Sequence, residues 1–359
     1  MKPLRRICVM SDLFQETSPG QQLLDRFLIG YPRDGRFHRL PDCQVVACPL
    51  GASDDSTASL RKRTEDFGLE IHGIPSRAIQ GADGVVIITE PTGADPHEPW
   101  IQTCLDHAEP EAAMFIYGLP ALSRQTSQRF FDLALARKIL LCAGTWLPLA
   151  WHLPEVNIPA QAVMREALIV VQGEPWQAEL HGLEGLLPML AKRNGGESGV
   201  RRLRSWNDEE VWAAARDGYW SWPLLASALS RSHSPQGDPV RDGRTQDLAG
   251  LRLVRGLAKQ PRGWTIEHRD GLRTTILVLD GVVDDYNFAI KLSDGSVHSA
   301  QIYRPPNPAG EAYSLLAATL ENFFRTGQEP WSADRSLLEA SVLEAMREEA
   351  PENRSWITL

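Results

Sequence analysis

The sequence predicts a two-domain protein: a doubly wound parallel α/β sheet in residues 1–150, then an α+β domain with an open, mainly antiparallel sheet in residues 151–359. Three observations predict it. Short apolar runs alternate with helical patterns through the first half, which is how βαβ units read. The second half separates its strand patterns with Asp280-Gly281 and Asp294-Gly295, pairs that favour antiparallel hairpins. Finally, 359 residues exceed what one ordinary core holds.

In chain order, the first domain has strand patterns at 6–10, 44–48, 84–89, 113–117 and 139–142. Helical patterns fall between them at 21–29, 56–67, 99–107 and 123–137. The run Ala134 to Cys142 passes from helix to buried strand within a few residues, as a crossover connection requires. In the second domain, 164–172 reads as a strand. Residues 176–193 have apolar positions at helical spacing and stop at Gly195-Gly196. A helical stretch at 208–230 precedes a loop at 232–247 rich in Pro, Gly, Asp and Arg. Strands follow at 264–268, 274–279, 286–292 and 298–303, then a helix at 312–326 that breaks at Gly327 and Pro330, and another at 336–349.

Composition narrows the function classes. With 43% hydrophobic and 23% charged residues the chain is ordinary globular material. A net charge of −9 speaks against a nucleic-acid partner, and the patches Arg61-Lys62-Arg63 and Arg201-Arg202 read as solvated faces. The five cysteines lack metal-ligand spacing and read as buried thiols of a reducing compartment. No signal-peptide core and no apolar run of about 18 residues is present, so the expectation is a cytoplasmic protein with no membrane partner. Walker A, G-x-S-x-G and H-E-x-x-H patterns are missing. The acids of Asp280 to Asp285 lack calcium-loop spacing, and no metal site is expected.

Candidate site residues collect where parallel strands end. The stretch Gly84 to Thr89, followed by Pro91 and His97, reads as a buried strand that presents its carboxyl edge to a nucleotide-like ligand. After the first strand, Asp12 and Leu13 begin the loop Ser11-Asp-Leu-Phe-Gln-Glu-Thr-Ser-Pro-Gly20. This loop lacks the glycines that let backbone approach a pyrophosphate, and Asp12 and Glu16 bring negative charge. Ser18 and Pro19 read as the cap and first residue of a helix. Trp146 and Trp151, in Gly144-Thr-Trp-Leu-Pro-Leu-Ala-Trp151, suit either stacking on a sugar ring or packing of a hinge. Glu174 is a cleft carboxylate or a loop residue.

Two segments carry a resemblance to a known family. Ala82-Asp-Gly-Val-Val-Ile-Ile-Thr-Glu-Pro91 with His97 is one; Leu316-Ala-Ala-Thr-Leu-Glu-Asn-Phe-Phe-Arg-Thr-Gly-Gln-Glu-Pro330, followed by Ser336-Leu-Leu-Glu-Ala340, is the other. In these the chain resembles the Gfo/Idh/MocA oxidoreductases, and the order of elements resembles that family over nearly the whole length. The resemblance implies a Rossmann-like first domain holding NAD or NADP, near Asp12, Leu13, Thr89, Pro91, His97 and Gly118. It implies a second domain that binds a sugar-like substrate, near Trp146 and Glu174, and associates with other copies through its open sheet face.

The family's Glu-Lys-Pro matches Phe115-Ile-Tyr-Gly-Leu-Pro120, so Leu119 stands where a lysine is expected. Tyr117, a phenol at a strand end, is a proton donor in its stead or a structural group. The family's Asp and His on one helix face match Gln177 and His181. Here His181 and Glu184, at i and i+3, are candidates for an acid–base pair. The resemblance therefore implies an NAD(P)-dependent oxidoreductase acting on a sugar, cyclitol or related polyol. The departures keep two alternatives open. One is a non-redox member binding a carbohydrate-like ligand or a partner chain; the other is a lyase or hydrolase using His181, Glu184 and Tyr117.

Overall fold

A computed structural model of the chain describes residues 3–51, 54–88, 98–236, 249, 253–304, 310–347 and 356–359. Thr89, Pro91 and His97 lie outside the described residues, as does most of the expected loop at 232–247. The chain forms two compact units. Unit one comprises Met1–Leu149 with Pro305–Ala340, and unit two Ala150–Arg304 with Ser341–Leu359. The segment 305–340, placed by the sequence with the second domain, thus belongs to the first unit.

The first unit runs β1 (Arg6–Ser11), α1 (Pro19–Leu28), β2 (Tyr31–Arg33), β3 (Arg36–His38), β4 (Gln44–Pro49), α2 (Asp54–Phe67), β5 (Glu70–Ile71), α3 (Pro75–Ala78), β6 (Gly84–Ile88), α4 (Glu98–His107), β7 (Ala113–Tyr117), α5 (Arg124–Ala136) and β8 (Leu140–Gly144). Six strands pair in the order β5-β4-β1-β6-β7-β8, all parallel. The order in which strands are added reverses at β1, which lies between β4 and β6; in open α/β sheets ligands bind outside the carboxyl ends at such a switch point. Register aligns Ser11 with Pro49 and Ile88, Ile88 with Tyr117, and Tyr117 with Gly144, making one carboxyl edge. The core on one face includes Cys8, Met10, Val85, Ile87, Met114 and Ile116, as expected of strands covered on both sides.

The second unit runs β9 (His152–Leu153), β10 (Met164–Val171), α6 (Gln177–Leu190), β11 (Val200–Asn207), α7 (Glu209–Arg216), α8 (Trp222–Leu229), α9 (Leu253–Leu257), β12 (Lys259–His268), β13 (Arg273–Asp280), β14 (Tyr286–Leu292) and β15 (Val297–Ile302). The chain then gives α10 (Glu311–Thr326) to the first unit, divides α11 (Ala333–Arg347) between the two after Ala340, and ends in the second unit with β16 (Ile357–Thr358). Its eight-stranded sheet has the order β16-β11-β12-β13-β10-β14-β15-β9. Only β10 and β13 pair in parallel; the other pairs are antiparallel.

The expected open sheet face is covered from within the same unit. On one side α6 packs on β10 and β13. It comes this close because a Cβ on Gly182 would lie 2.6 Å from Ile276, and one on Gly185 2.7 Å from Ile302 and 2.8 Å from Ile169. On the other side, the stretch expected as one helix is two. α8 packs against β10, β14 and β15, and α7 against β11 and β12. Their Trp212, Leu224, Leu225 and Leu229, with Trp220 between the helices, meet Leu168, Val170, Leu277, Leu279 and Ala289. These strand positions alternate with Ile169 and Ile276 on the α6 side, the period-two pattern of a sheet buried on both faces. The sheet face expected to meet other copies carries α7 and α8.

Candidate functional site

At the carboxyl edge of the first unit, the β1–α1 loop determines what can bind. A phosphate at a helix N-terminus needs backbone N–H groups that point outward without partners. Here several are engaged. Leu13 N–H donates to Ser11 Oγ at 3.2 Å, Phe14 N–H to Ser56 Oγ at 2.9 Å, and Gln15 N–H to Ser18 Oγ at 3.0 Å. The Gln21 N–H also donates to Ser18 Oγ, at 3.2 Å, and Gln22 N–H to the Ser18 carbonyl at 3.0 Å. Pro19 has no N–H to offer. Gly20 is needed for packing, since a Cβ there would lie 2.4 Å from Ser11 Oγ and 2.5 Å from the Leu13 carbonyl.

The same loop reaches across to α2, where Gln15 Nε2 donates to Asp55 at 3.1 Å, and Phe14 is completely buried. Asp12 and Leu13, expected near a cofactor, belong to this closed loop. The expectation that Ser18 caps α1 with Pro19 at its first position is met.

Further along the edge, Tyr117 ends β7. Its hydroxyl lies 3.3 Å from that of Tyr313 on α10, the rings stacked at 6.4 Å and 25°. Arg26 lies over Tyr313, 5.9 Å from the ring centre, and donates to Ser314 and to the Gly310 carbonyl. Gly118 has φ +98°, which only glycine adopts readily, and its N–H is bonded to the Gly144 carbonyl. Leu119 is buried, as is Trp146, so Trp146 packs in the first unit rather than presenting a face for stacking.

The second unit gathers a different set at the sheet end where β10 finishes and β14 begins. His181 sits in the second turn of α6, 8% exposed, with Nδ1 3.0 Å from the Tyr286 hydroxyl. Burial, helped by the nearby Arg304 charge, pushes the His181 pKa down to about 4, so the ring is neutral at pH 7. The expected partner Glu184 is fully buried on the same helix, but the imidazole turns to Tyr286 on β14 instead. Glu174 is exposed in the loop before α6. Trp176, at the α6 start, takes φ +73° and its N–H donates to Glu179, whose carboxylate pairs with Arg262 at 3.2 Å.

Sequence reasoning missed Tyr286, Tyr313 and Arg304. Tyr286 opens a strand after the Asp280-Gly281 turn, the one local signal available. The four buried cysteines, and half-buried Cys43, are free thiols. Burial raises Cys48 to about 11 and Cys142 to about 12, which makes neither a nucleophile. Among the described residues there is no cluster of side chains able to hold a metal, and no helix long and apolar enough to cross a membrane.

No family model matches the sequence, and no curated protein does either. Solved structures match over nearly the whole chain. GenD2 from gentamicin A biosynthesis, in complex with NAD, aligns with TM-score 0.61 at 12% identity, covering 100% of this chain and 97% of that one. Myo-inositol dehydrogenase from Lactobacillus casei, with NAD(H) and myo-inositol, aligns with TM-score 0.59 at 12% identity, covering 99% and 97%. Biliverdin reductase from Synechocystis sp. PCC 6803, with biliverdin and NADP+, aligns with TM-score 0.52 at 11% identity, covering 95% and 97%.

The fold is that of the Gfo/Idh/MocA dehydrogenases. At this identity the likeness establishes the Gfo/Idh/MocA fold and leaves the chemistry to the residues. The group this fold implies is a nicotinamide dinucleotide. Against that group the β1–α1 loop does not fit: the N–H groups of Leu13, Phe14, Gln15 and Gln21 are engaged by serine hydroxyls, Asp12 stands at its start, and Phe14 is fully buried.

Proposed function

We propose that the chain is an oxidoreductase of the Gfo/Idh/MocA type that acts on a hydroxyl of a sugar, cyclitol or related polyol, with His181 as the base. The observation that carries this reading is the buried, neutral imidazole of His181, fixed through Nδ1 by Tyr286. An alcohol that is oxidised must lose its hydroxyl proton, and a neutral imidazole nitrogen accepts one at pH 7. Tyr286 holds the ring's orientation and can pass a proton onward through its own hydroxyl. The fold supports the reaction class, and the names of the neighbours support the substrate class. NAD or NADP is the expected hydride acceptor, and its pyrophosphate would have to be held elsewhere than at α1.

A second reading is favoured by the closed β1–α1 loop: a member of this fold that binds a sugar-like compound without hydride transfer. Thermal-shift titrations with NAD, NADP and their reduced forms separate the two. A ligand bound only by the native state raises the melting temperature by mass action. A saturable rise, followed by cofactor-dependent oxidation of a polyol that is lost in His181→Ala, upholds the oxidoreductase. No shift from any of the four at millimolar concentration removes it and leaves the second reading.

A further inference from the structure

Arg304 follows the last residue of β15, and the sheet register shows which way that strand end faces. Ile302 pairs with Tyr286 across β14. Its side chain lies against α6, since a Cβ on Gly185 would touch Ile302 Cδ1. Tyr286 faces α6 as well, because its hydroxyl meets His181. His181 and Gly185 are four residues apart and share one face of the helix. The chain leaving Ile302 therefore runs past His181 toward the α6 start. Tyr303 turns aside: its N–H donates to the Trp151 carbonyl at 2.8 Å, and its ring stacks flat on Trp151 at 7° and 6.3 Å. By strand alternation Arg304, one residue further, falls on the α6 side with Ile302, and its positive charge disfavours protonation of the His181 ring.

The guanidinium is exposed and makes no ion pair among the described residues. Glu179, on the first turn of α6, is matched by Arg262 at 3.2 Å. His181 contributes no negative charge, and Tyr286 is bonded to it. Other arginines packed on this sheet have carboxylate partners: Arg193 with Asp270 at 2.6 Å, Arg202 with Glu267 at 2.6 Å, and Arg273 with Glu166 at 2.8 Å. An unmatched cation that returns beside a neutral acceptor and a phenol offers a charged partner for an anionic ligand group. The imidazole Nε2, opposite the nitrogen bonded to Tyr286, serves a hydroxyl.

We infer that the substrate is an anionic polyol, a sugar acid or sugar phosphate, whose carboxylate or phosphate is held by Arg304 while a hydroxyl meets His181. This rests on the polyol reading of the same site and narrows it. An arginine fork suits both anions, because two parallel N–H groups match two oxygens.

The test uses the full chain with D-glucuronate, D-glucose 6-phosphate and myo-inositol as probes, titrated calorimetrically at low and at moderate salt. The inference expects saturable binding of glucuronate or glucose 6-phosphate, tighter than myo-inositol and weakened by salt. Arg304→Gln should weaken the anionic probe about tenfold or more, the loss of one charge-assisted pair. Arg304→Lys should recover part of it. Comparing the two anionic probes tells carboxylate from phosphate. The exposed position keeps both variants foldable, checked by unchanged thermal melts. Myo-inositol bound as tightly as either anion overturns the inference and leaves the polyol reading standing. So does anion binding that ignores Arg304→Gln. Failure of all three probes to bind overturns both.

Discussion

Replacing His181 with asparagine should remove a pH dependence that the intact chain carries between pH 7 and pH 4. The imidazole is held at about 4 in the folded chain against 6.5 in an ordinary setting, first by burial and second by Arg304. The folded state therefore keeps the ring neutral over a range where the unfolded chain takes up a proton. Its contribution is complete above pH 6.5 and is lost as pH falls, the loss ending once pH drops through 4. The difference of 2.5 (6.5 − 4) corresponds to about 3 kcal/mol in total, and about 2 kcal/mol of it has gone by pH 5. Urea unfolding of the intact chain and of His181→Asn at pH 7.5, 6 and 5, followed by tryptophan fluorescence, measures it. The two stability curves should diverge on acidification, with the intact chain falling more steeply. Parallel curves would refute the reasoning, and so would an NMR titration placing the His181 ring near 6.5. The same neutrality fixes the acid limb of turnover: if His181 is the base, activity holds to about pH 5 and declines toward 4.

Three further outcomes follow from packing. Gly84→Ala puts a methyl 2.5 Å from the Phe324 ring and should destabilise the first unit by about 1–3 kcal/mol, read from the urea midpoint; no change would mean the strand yields more easily than its burial suggests. Trp220→Ala removes a buried ring whose Nε1 donates to the Val211 carbonyl at 2.8 Å, and should cost about 3–5 kcal/mol. Because that ring helps cover the sheet, the variant should also self-associate on light scattering where the intact chain does not change. Ser18→Ala takes away the acceptor of the Gln15 and Gln21 N–H groups and should lower stability by roughly 0.5–2 kcal/mol, with faster amide exchange at both.

What was legible in the sequence follows the range of the interaction. Buried parallel strands write themselves as continuous apolar runs, so Gly84–Ile88 and Ala113–Tyr117 were readable from local pattern. The β2–β3 hairpin was not. It has three-residue strands with exposed positions, and it is held by Tyr31 and His38 meeting Glu321, 290 and 283 residues away. The sheet cover was half legible: the helices showed, but which face they cover depends on Leu168 and Val170 pointing one way and Ile169 the other. His181 was found because its helix position resembles a family pattern. Its partner Tyr286 lies 105 residues on and is delivered by strand register, which no local spacing encodes. Glu184 was paired with His181 by helical spacing alone, and spacing does not say which way a buried ring turns.

The closed loop allows a cost to be set on dinucleotide binding at α1. Seating a pyrophosphate there requires the loop to release Phe14 from full burial, about 1.5–3 kcal/mol for a side chain of that kind. It also requires Ser18 to give up its cap, about 1 kcal/mol more. Together these subtract about 3 kcal/mol from binding, roughly a hundredfold in Kd. A site that would otherwise bind in the tens of micromolar is moved to the millimolar range, before any repulsion from Asp12. Titration with NAD and with NADP, alongside amide exchange at Phe14 and Gln15, tests the argument. Micromolar binding accompanied by deprotection of those amides would show that the loop opens at little cost, and the reasoning from its bonds would fail. Micromolar binding with the amides unchanged would place the pyrophosphate away from α1, and the oxidoreductase reading would stand on contacts other than the glycine cradle. Millimolar binding is the result expected of a pyrophosphate seated at α1, and absent binding removes the oxidoreductase reading. The latter would leave His181 and Arg304 as the part of this fold that still meets a ligand.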